Sequence, residues 1–443
     1  TYTVALSGYN KYPVAPGLIS NLTVTDGAEA TKDITLNNAN KWSFGSASND
    51  TLTNESAYNG LVFTGSVKTE SGKAHLVAPA GTTIEVPVKA GQNVNVGYYY
   101  QADFTVNGQT VTSNSGSTSK FESSDFTANA DGTLTITVNT LTYFTGITVG
   151  TKVPYAENIY VGADKEYKTI NDALAAVRLM DRPNSERVTI NVDPGDYQEM
   201  LVIDVDNVTL KNTAANPDTA LINKGVNITE NGVRVTSYYI HGYNYFSMTD
   251  DCKYDEEVLK TNKENGYISF ENPGSGTTKN SYWNATVTVR GTGFEADGII
   301  FENSANQYIS TKEANDVVQE WTVGGKGTRP TTAGDTSVQN KSFVERAAAI
   351  AILGDKAYFN NCKFVGRQDT LYGASNIRAA FNKCTAMGGT DFIFGGMVAT
   401  FYKSDIMMNT SEDKNDVSYL TAAQQASGRG YFCLLYTSDA ADD

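Results

Sequence analysis

The feature that most constrains this chain is an internal repeat near its C-terminal end. Three blocks, "AYFNNCKFVG" (357–366), "AAFNKCTAMG" (379–388) and "ATFYKSDIMM" (399–408), align on Phe359, Phe381 and Phe401, and again on Cys362, Cys384 and Ser404. The offsets are 381 − 359 = 22 and 401 − 381 = 20 residues. A repeat of this length, carried by strands without helices, predicts a parallel β-helix in which each coil stacks on the last. Stacking buries like on like, so Phe and Cys ladders are expected inside. Cys362 and Cys384 then read as reduced, inward-facing residues, with a disulfide between them the lesser alternative.

The same offset relates two lone aspartates. Asp369 stands in "GRQDTLYG" (366–373) and Asp391 in "GGTDFIFGG" (388–396), and 391 − 369 = 22. Positions one coil apart lie about 5 Å from each other, so the repeat predicts two carboxylates side by side and facing the same way. At that distance both cannot ionise freely, and one pKa is expected to rise while the other stays low. Such a pair supplies a proton donor and an anionic nucleophile together. Arg367, Gln368 and Tyr372 flank the first aspartate; Phe392 and Phe394 follow the second and are expected to wall a groove. The bland alternative is a ladder of acids that caps turns or binds a cation. The pair alone leaves two reactions open. One is glycoside hydrolysis with retention. The other is acyl transfer through an Asp nucleophile with an amide donor for the oxyanion, which Gln368 favours.

A length of 443 residues exceeds one ordinary core, so two domains are expected. Residues 1–150 alternate apolar and polar positions between Gly, Asn and Asp turns, as in "TTIEVPVKAGQNVNVGYYY", and predict a β-sandwich module. Its Trp42 and Tyr98–Tyr100 are either core residues or a sugar-stacking platform, and the alternation favours the core. "TKVPYAENIYVG" reads as the junction to a second domain over 155–443. There "YKTINDALAAV" predicts a helix capped by Thr169, with Ile170, Ala173, Leu174 and Val177 on one face. Residues 250–285 and 310–342 are polar, Gly- and Thr-rich, and read as long surface loops.

A net charge of −15 argues against nucleic acid as a partner, since phosphate binding needs clustered Lys and Arg. No apolar run is long enough to span a membrane. The four cysteines form no CxxC pair, and the two histidines, His75 and His241, weaken any mechanism built on a His base or His ligands. His241 is expected to be buried or in a turn. No metal or other cofactor is implied, and with no oligomer signal a monomer is expected. The chain opens on Thr without a leader, so it reads as a processed secreted protein or a fragment.

"GRQDTLYG" and "GGTDFIFGG" resemble the two signature blocks of the pectin methylesterases (pectinesterases). The resemblance runs from about Ile159 to Ser427 and includes "YKTINDAL", "PGDYQE", "GIIFENSANQ" and "AAAIAILGDKAYFNNCKF" in the family's order. It implies a right-handed parallel β-helix, a secreted enzyme, and metal-free hydrolysis of galacturonate methyl esters in pectin to methanol and pectate. It implies that Asp391 is the nucleophile, Asp369 the acid and then the base, Gln368 the oxyanion donor, and Tyr372 and Phe394 substrate contacts. The N-terminal module resembles accessory sandwiches of secreted carbohydrate enzymes. Two departures stand out. Arg346 occupies the position of the family's second glutamine, where it either substitutes as an electrophile or leaves a weaker oxyanion hole. The family's downstream Leu-Gly-Arg-Pro-Trp block is absent, and "CLLYTSDAADD" does not continue the coil pattern. The catalytic domain is therefore expected to be incomplete at its C-terminus, with an exposed apolar coil end, and the chain as it stands to be poorly active. The alternatives are a β-helical lyase or polygalacturonase, and a non-catalytic pectin-binding protein.

Overall fold

The computed structural model describes residues 2–5, 18–22, 40–46, 49, 51–52, 60–70, 73–114, 116, 121–183, 185–240, 248–255, 258, 284–316, 320–321, 327–340, 346–409 and 417–434. His241 lies outside them. The chain divides into two compact units, Thr1–Lys152 and Val153–Asp443.

In the first unit the period-two pattern becomes strands that bury every second side chain, as in Thr83–Val88 and Gly132–Val138. These two pair antiparallel, with Ile84 opposite Ile136 and Val86 opposite Leu134. An antiparallel sheet of five strands and another of seven share one core that includes Phe63, Phe104, Leu134 and Phe144. This is a β-sandwich. Trp42, Tyr98 and Tyr99 are buried, so they pack rather than offer a stacking surface. His75 is also buried: Tyr99 lies 2.6 Å from its Nδ1 and Glu70 2.5 Å from its Nε2.

The second unit is a right-handed parallel β-helix of three sheets. The long sheet has eight strands, from Asn158–Val161 to Tyr431–Leu434. The aspartate sheet has six: Leu201–Ile203, Val287–Val289, Ile350–Ile352, Leu371–Gly373, Thr390–Gly395 and Tyr419–Ala423. The third sheet also has six, from Gly195–Tyr197 to Asp405–Met408. Phe359, Phe381 and Phe401 are register partners on successive coils of the long sheet. Their rings stack at 5.1 and 4.5 Å. Cys362 and Cys384 are free and buried, and the Cys384 amide donates to the Ser404 hydroxyl at 3.1 Å. The ladder's contribution is measurable. Phe381→Leu is expected to lower stability by about 1.5 kcal/mol, seen as a lower urea midpoint at unchanged slope; an unmoved midpoint would remove the ladder from the stability argument.

The helix spans Ile170–Arg178, with Thr169 accepting from the Asp172 amide and Ile170, Ala173, Leu174 and Val177 buried. Glu199 completes the cap by accepting from the amides of Ile170 and Asn171 at 2.9 and 3.0 Å. Burial lifts the Glu199 carboxyl above its ordinary range, against the pull of those two amides. The stretch 310–342, expected as a surface loop, holds more order than that. It contains a helical turn at Thr311–Ala314, a two-strand pair at Glu320–Trp321 and Gly327–Thr328, and a 3-10 turn at Ser337–Asn340. A buried ion pair, Arg329 Nε to Glu313 Oε1 at 2.5 Å, ties it down. Much of 250–285 lies outside the described residues. In the last coil Met408, Val417, Tyr419, Leu420, Phe432 and Leu434 are exposed. No helix among the described residues is long and apolar enough to cross a membrane.

Candidate active site

The site grows from strand alternation on the aspartate sheet. Val287, Ile350, Leu371 and Ile393 point inward and join the core. The alternate positions point outward, and there Ala351, Tyr372 and Phe394 are register partners on three successive coils. Tyr372 and Phe394 lie 4.9 Å apart, their rings tilted by 49°. With Ala348, Ala285, Leu353 and Ala422 they form a separate apolar cluster on the outside of the sheet. Burial pushes the Tyr372 phenol up to about 12, so it stays neutral under ordinary conditions. Gly395 permits this closeness. Its φ is +95°, and a Cβ there would meet the Gly373 carbonyl oxygen at 2.2 Å and the Tyr372 ring at 2.8 Å. Phe392 does not wall the site: it is fully buried in the core on the opposite side of the strand from Phe394.

Just before these strands the coils carry the polar residues. Arg346, Gln368 and Thr390 bridge in parallel, one above the other. Asp369 and Asp391 follow Gln368 and Thr390 directly, and the Asp369 amide donates to the Thr390 carbonyl at 3.0 Å. The two aspartates are therefore equivalent positions on adjacent coils, separated by one strand spacing of about 4.8 Å along the stack. Both are left-handed, with φ of 58° and 49°, a region Asp and Asn tolerate better than most residues. Asn361, Lys383 and Lys403 do the same at coil corners elsewhere, so this conformation is partly a device of the coil and not in itself a mark of function. The local register is irregular. The Ala349 and Ile350 amides both point at the Thr370 carbonyl, at 2.9 and 3.3 Å, and the 22-residue offset of Arg346–Gln368 becomes 21 at Ile350–Leu371. One extra residue is absorbed there, as in a bulge.

Asp369 is buried, 5 % exposed, while Asp391 is partly exposed. Arg346 Nε lies 4.0 Å from Asp369 Oδ2, which puts a fixed positive charge beside the buried carboxylate. No hydrogen bond or ion pair to the Asp391 carboxylate is formed among the described residues. Gln368 is uncommitted in the same sense, and its Oε1 is buried with no hydrogen-bond partner. Arg367, flanking in sequence, is instead buried and donates to the Gln339 carbonyl at 3.0 Å.

Sequence reading alone overlooked the supports. Asn284, fully buried, donates to the Arg346 carbonyl and accepts from the Ala348 amide at 3.4 Å. Asn409 donates to the Gly366 carbonyl at 2.8 Å and to Gln307 Oε1 at 3.1 Å, pinning the approach to Gln368. Gln307 lies within the quoted "GIIFENSANQ", but nothing in its spacing marks a partner 102 residues away. No group of three or more metal-binding side chains is present among the described residues.

The fold and its register define a β-helical protein in which Asp369 and Asp391 lie on adjacent coils, close in sequence to Tyr372 and Phe394. Residues 310–430 match the family described as Pectinesterase. A pectinesterase of Ralstonia nicotianae is 31 % identical over 160 residues, 35 % of this chain and 33 % of that protein. A probable pectinesterase/pectinesterase inhibitor of Arabidopsis thaliana is 33 % identical over 99 residues, 22 % of this chain and 16 % of that one. The chain thus spans a third or less of the length of these two relatives. Among solved structures, the rice weevil pectin methyl esterase aligns with a TM-score of 0.42 at 17 % identity, covering 64 % of this chain and 66 % of that one. The Erwinia chrysanthemi pectin methylesterase aligns at 0.39 and 23 %, covering 64 % and 68 %. At these scores the likeness adds nothing to the topology already described.

Proposed function

We propose that this chain hydrolyses galacturonate methyl esters of pectin through the aspartate pair. The observation that carries the reading is the register: Asp369 and Asp391 occupy equivalent positions on adjacent coils, one beside a cation and the other partly open to solvent. Asp391, the more accessible, attacks the ester carbonyl, and the carbonyl electrons move to oxygen to give a tetrahedral intermediate whose collapse leaves an acyl-enzyme anhydride. The Gln368 amide donates to that oxyanion, with Arg346 as a second, charged donor in the same row. On collapse the C–O bond to methanol breaks, and Asp369 delivers the proton that methanol needs to leave. Asp369 then takes a proton from water, the hydroxide attacks the anhydride, and Asp391 is released as carboxylate with the galacturonic acid, which loses its proton to solvent as galacturonate. Tyr372 and Phe394 provide the apolar surface for the sugar ring and its ester methyl.

The chemistry uses no metal. The protein would act outside the cell, where its polymer substrate lies, as a monomer with no nucleic-acid or membrane partner. The N-terminal sandwich is an accessory module. The competing reading is binding without turnover, favoured by the open Asp391 carboxylate, which no described side chain holds. Methanol release from highly methylated pectin separates the two: turnover supports the esterase, and binding without methanol supports the alternative. A calcium-dependent rise in absorbance from unsaturated products would point to a lyase instead. Within the esterase reading, Gln368→Ala is expected to lower kcat by about 10²–10³ with little change in KM. An unchanged kcat would take Gln368 out of the oxyanion role.

A further inference from the structure

A second concave surface lies on the outward face of the long sheet and shares no residue with the aspartate site. It is a cavity of about 420 Å³ that crosses five strands, from Asn158 to Asn360. Tyr358, 41 % exposed, stands at one side. Its register neighbours are Glu295 on the coil before and Ala380 on the coil after, and the small Ala380 leaves that flank of the ring open.

The polar groups of this cavity are already oriented. Arg187 donates to Thr209 Oγ1 at 3.0 Å and to the Gly293 carbonyl at 2.9 Å, and lies 3.1 Å from Glu295 Oε1. Asn360 donates to Asp297 Oδ1 at 2.7 Å and accepts from Asn382 at 2.7 Å. Side chains held in this way lose little rotamer freedom when a ligand arrives. The charges balance. Arg187 is paired with Glu295, and Lys211 is the register neighbour of Asp297. A balanced cavity does not attract a polyanion, and its open polar lining does not suit an apolar ligand. An exposed aromatic ring next to fixed amides, hydroxyls and carboxylates suits a flat ring that carries hydroxyl groups.

We propose that this face binds an uncharged pyranose chain at a second site centred on Tyr358, so that the protein holds polysaccharide on two sheets of one β-helix. The identity of the chain as methyl-esterified galacturonan rests on the esterase reading; the existence of the site does not.

The test is calorimetric titration of the full chain with a trimer of methyl galacturonate, carried out on Asp391→Asn so that the ester persists. Two binding events are expected. Tyr358→Ala should weaken one of them about tenfold, the loss of one aromatic contact, and Tyr358→Phe should keep both. Tyr372→Ala should weaken the other. A Tyr358→Ala titration that superimposes on its parent would overturn the proposal. The fully de-esterified trimer should bind the Tyr358 site more weakly, because it brings anions to Glu295 and Asp297; equal or tighter binding would overturn the uncharged ligand. Methanol release is measured separately on chains that keep Asp391. If neither the unaltered chain nor Tyr358→Ala releases methanol, the esterase reading fails while the calorimetric comparison still decides the second site.

Discussion

Asp391→Asn is expected to lower methanol release from methylated pectin by about 10³-fold or more while leaving the fold intact. The large effect follows from chemistry. An amide does not attack an ester, and removing a covalent nucleophile from a site whose members act as a unit removes most of the acceleration. The small structural effect follows from geometry. Asp391 is partly exposed, its carboxylate makes no hydrogen bond among the described residues, and its φ of 49° is one that Asn adopts readily. The unfolding midpoint should therefore move by no more than about 0.5 kcal/mol. Asp369→Asn should lose activity on the same scale, because departing methanol would no longer receive its proton. It should also perturb the fold more, since Asp369 is buried and its carboxyl is the group that Arg346 approaches at 4.0 Å. Half or more of the activity surviving in either variant would sink the assignment of roles. A folded Asp391→Asn that neither binds nor turns over pectin would point away from this surface altogether.

What could be read in advance divides along physical lines. The ladder was legible because stacked coils place residues 20 to 22 apart in direct contact, so the burial demand repeats in the sequence at the same interval. Phe359, Phe381 and Phe401 and the aspartate pair all follow from that one interval. Phe392 was misread because strict alternation puts it on the same face as Phe394, two positions on; the register shift between Thr390 and Ile393 breaks that alternation, and Phe392 and Ile393 both turn into the core. The stretch 310–342 was misread for a different reason. Composition marked 310–342 as surface, and composition has no term for a buried Arg329–Glu313 pair. Asn284 and Asn409 were invisible because they act on carbonyls 62 and 43 residues away. No periodicity links such positions, and an isolated Asn reads as a turn residue.

The largest omission of this kind predicts the largest stability effect. Arg234 and Glu302 sit on neighbouring strands of the third sheet, Val233–Ser237 and Ile299–Asn303, 1 % and 0 % exposed. Charged residues are rarely so buried unless paired. Arg234 Nε donates to Asp196 Oδ1 at 2.8 Å, Nη1 to the Gly225 carbonyl at 2.7 Å, and Nη1 lies 3.4 Å from Glu302 Oε1. Glu302 Oε1 also accepts from Thr236 at 2.9 Å and Tyr308 at 2.8 Å. Burial by itself would lower the guanidinium, but Glu302, Asp196 and Tyr308 outweigh it and hold Arg234 charged. Burial lifts the Glu302 carboxyl, with Arg234 pulling the other way. Arg234→Ala removes that pull and leaves a carboxylate in the interior without its cation, so the variant should lose about 3–5 kcal/mol at neutral pH. The sign with pH follows. Once Glu302 has a folded pKa above its unfolded one, stability falls as pH rises from the unfolded value through the folded value. The deficit of Arg234→Ala relative to the unaltered chain should therefore be larger at pH 8 than at pH 5, where Glu302 can take up a proton. Arg234→Met combined with Glu302→Leu removes both charges and should recover part of the loss, because an apolar pair of similar volume avoids the desolvation that the ion pair must offset. Urea unfolding of the three variants at the two pH values measures all of this. A single-variant loss below about 1 kcal/mol, or a deficit that is the same at both pH values, would mean that the buried carboxylate finds another partner and that this network is not what holds the third sheet together.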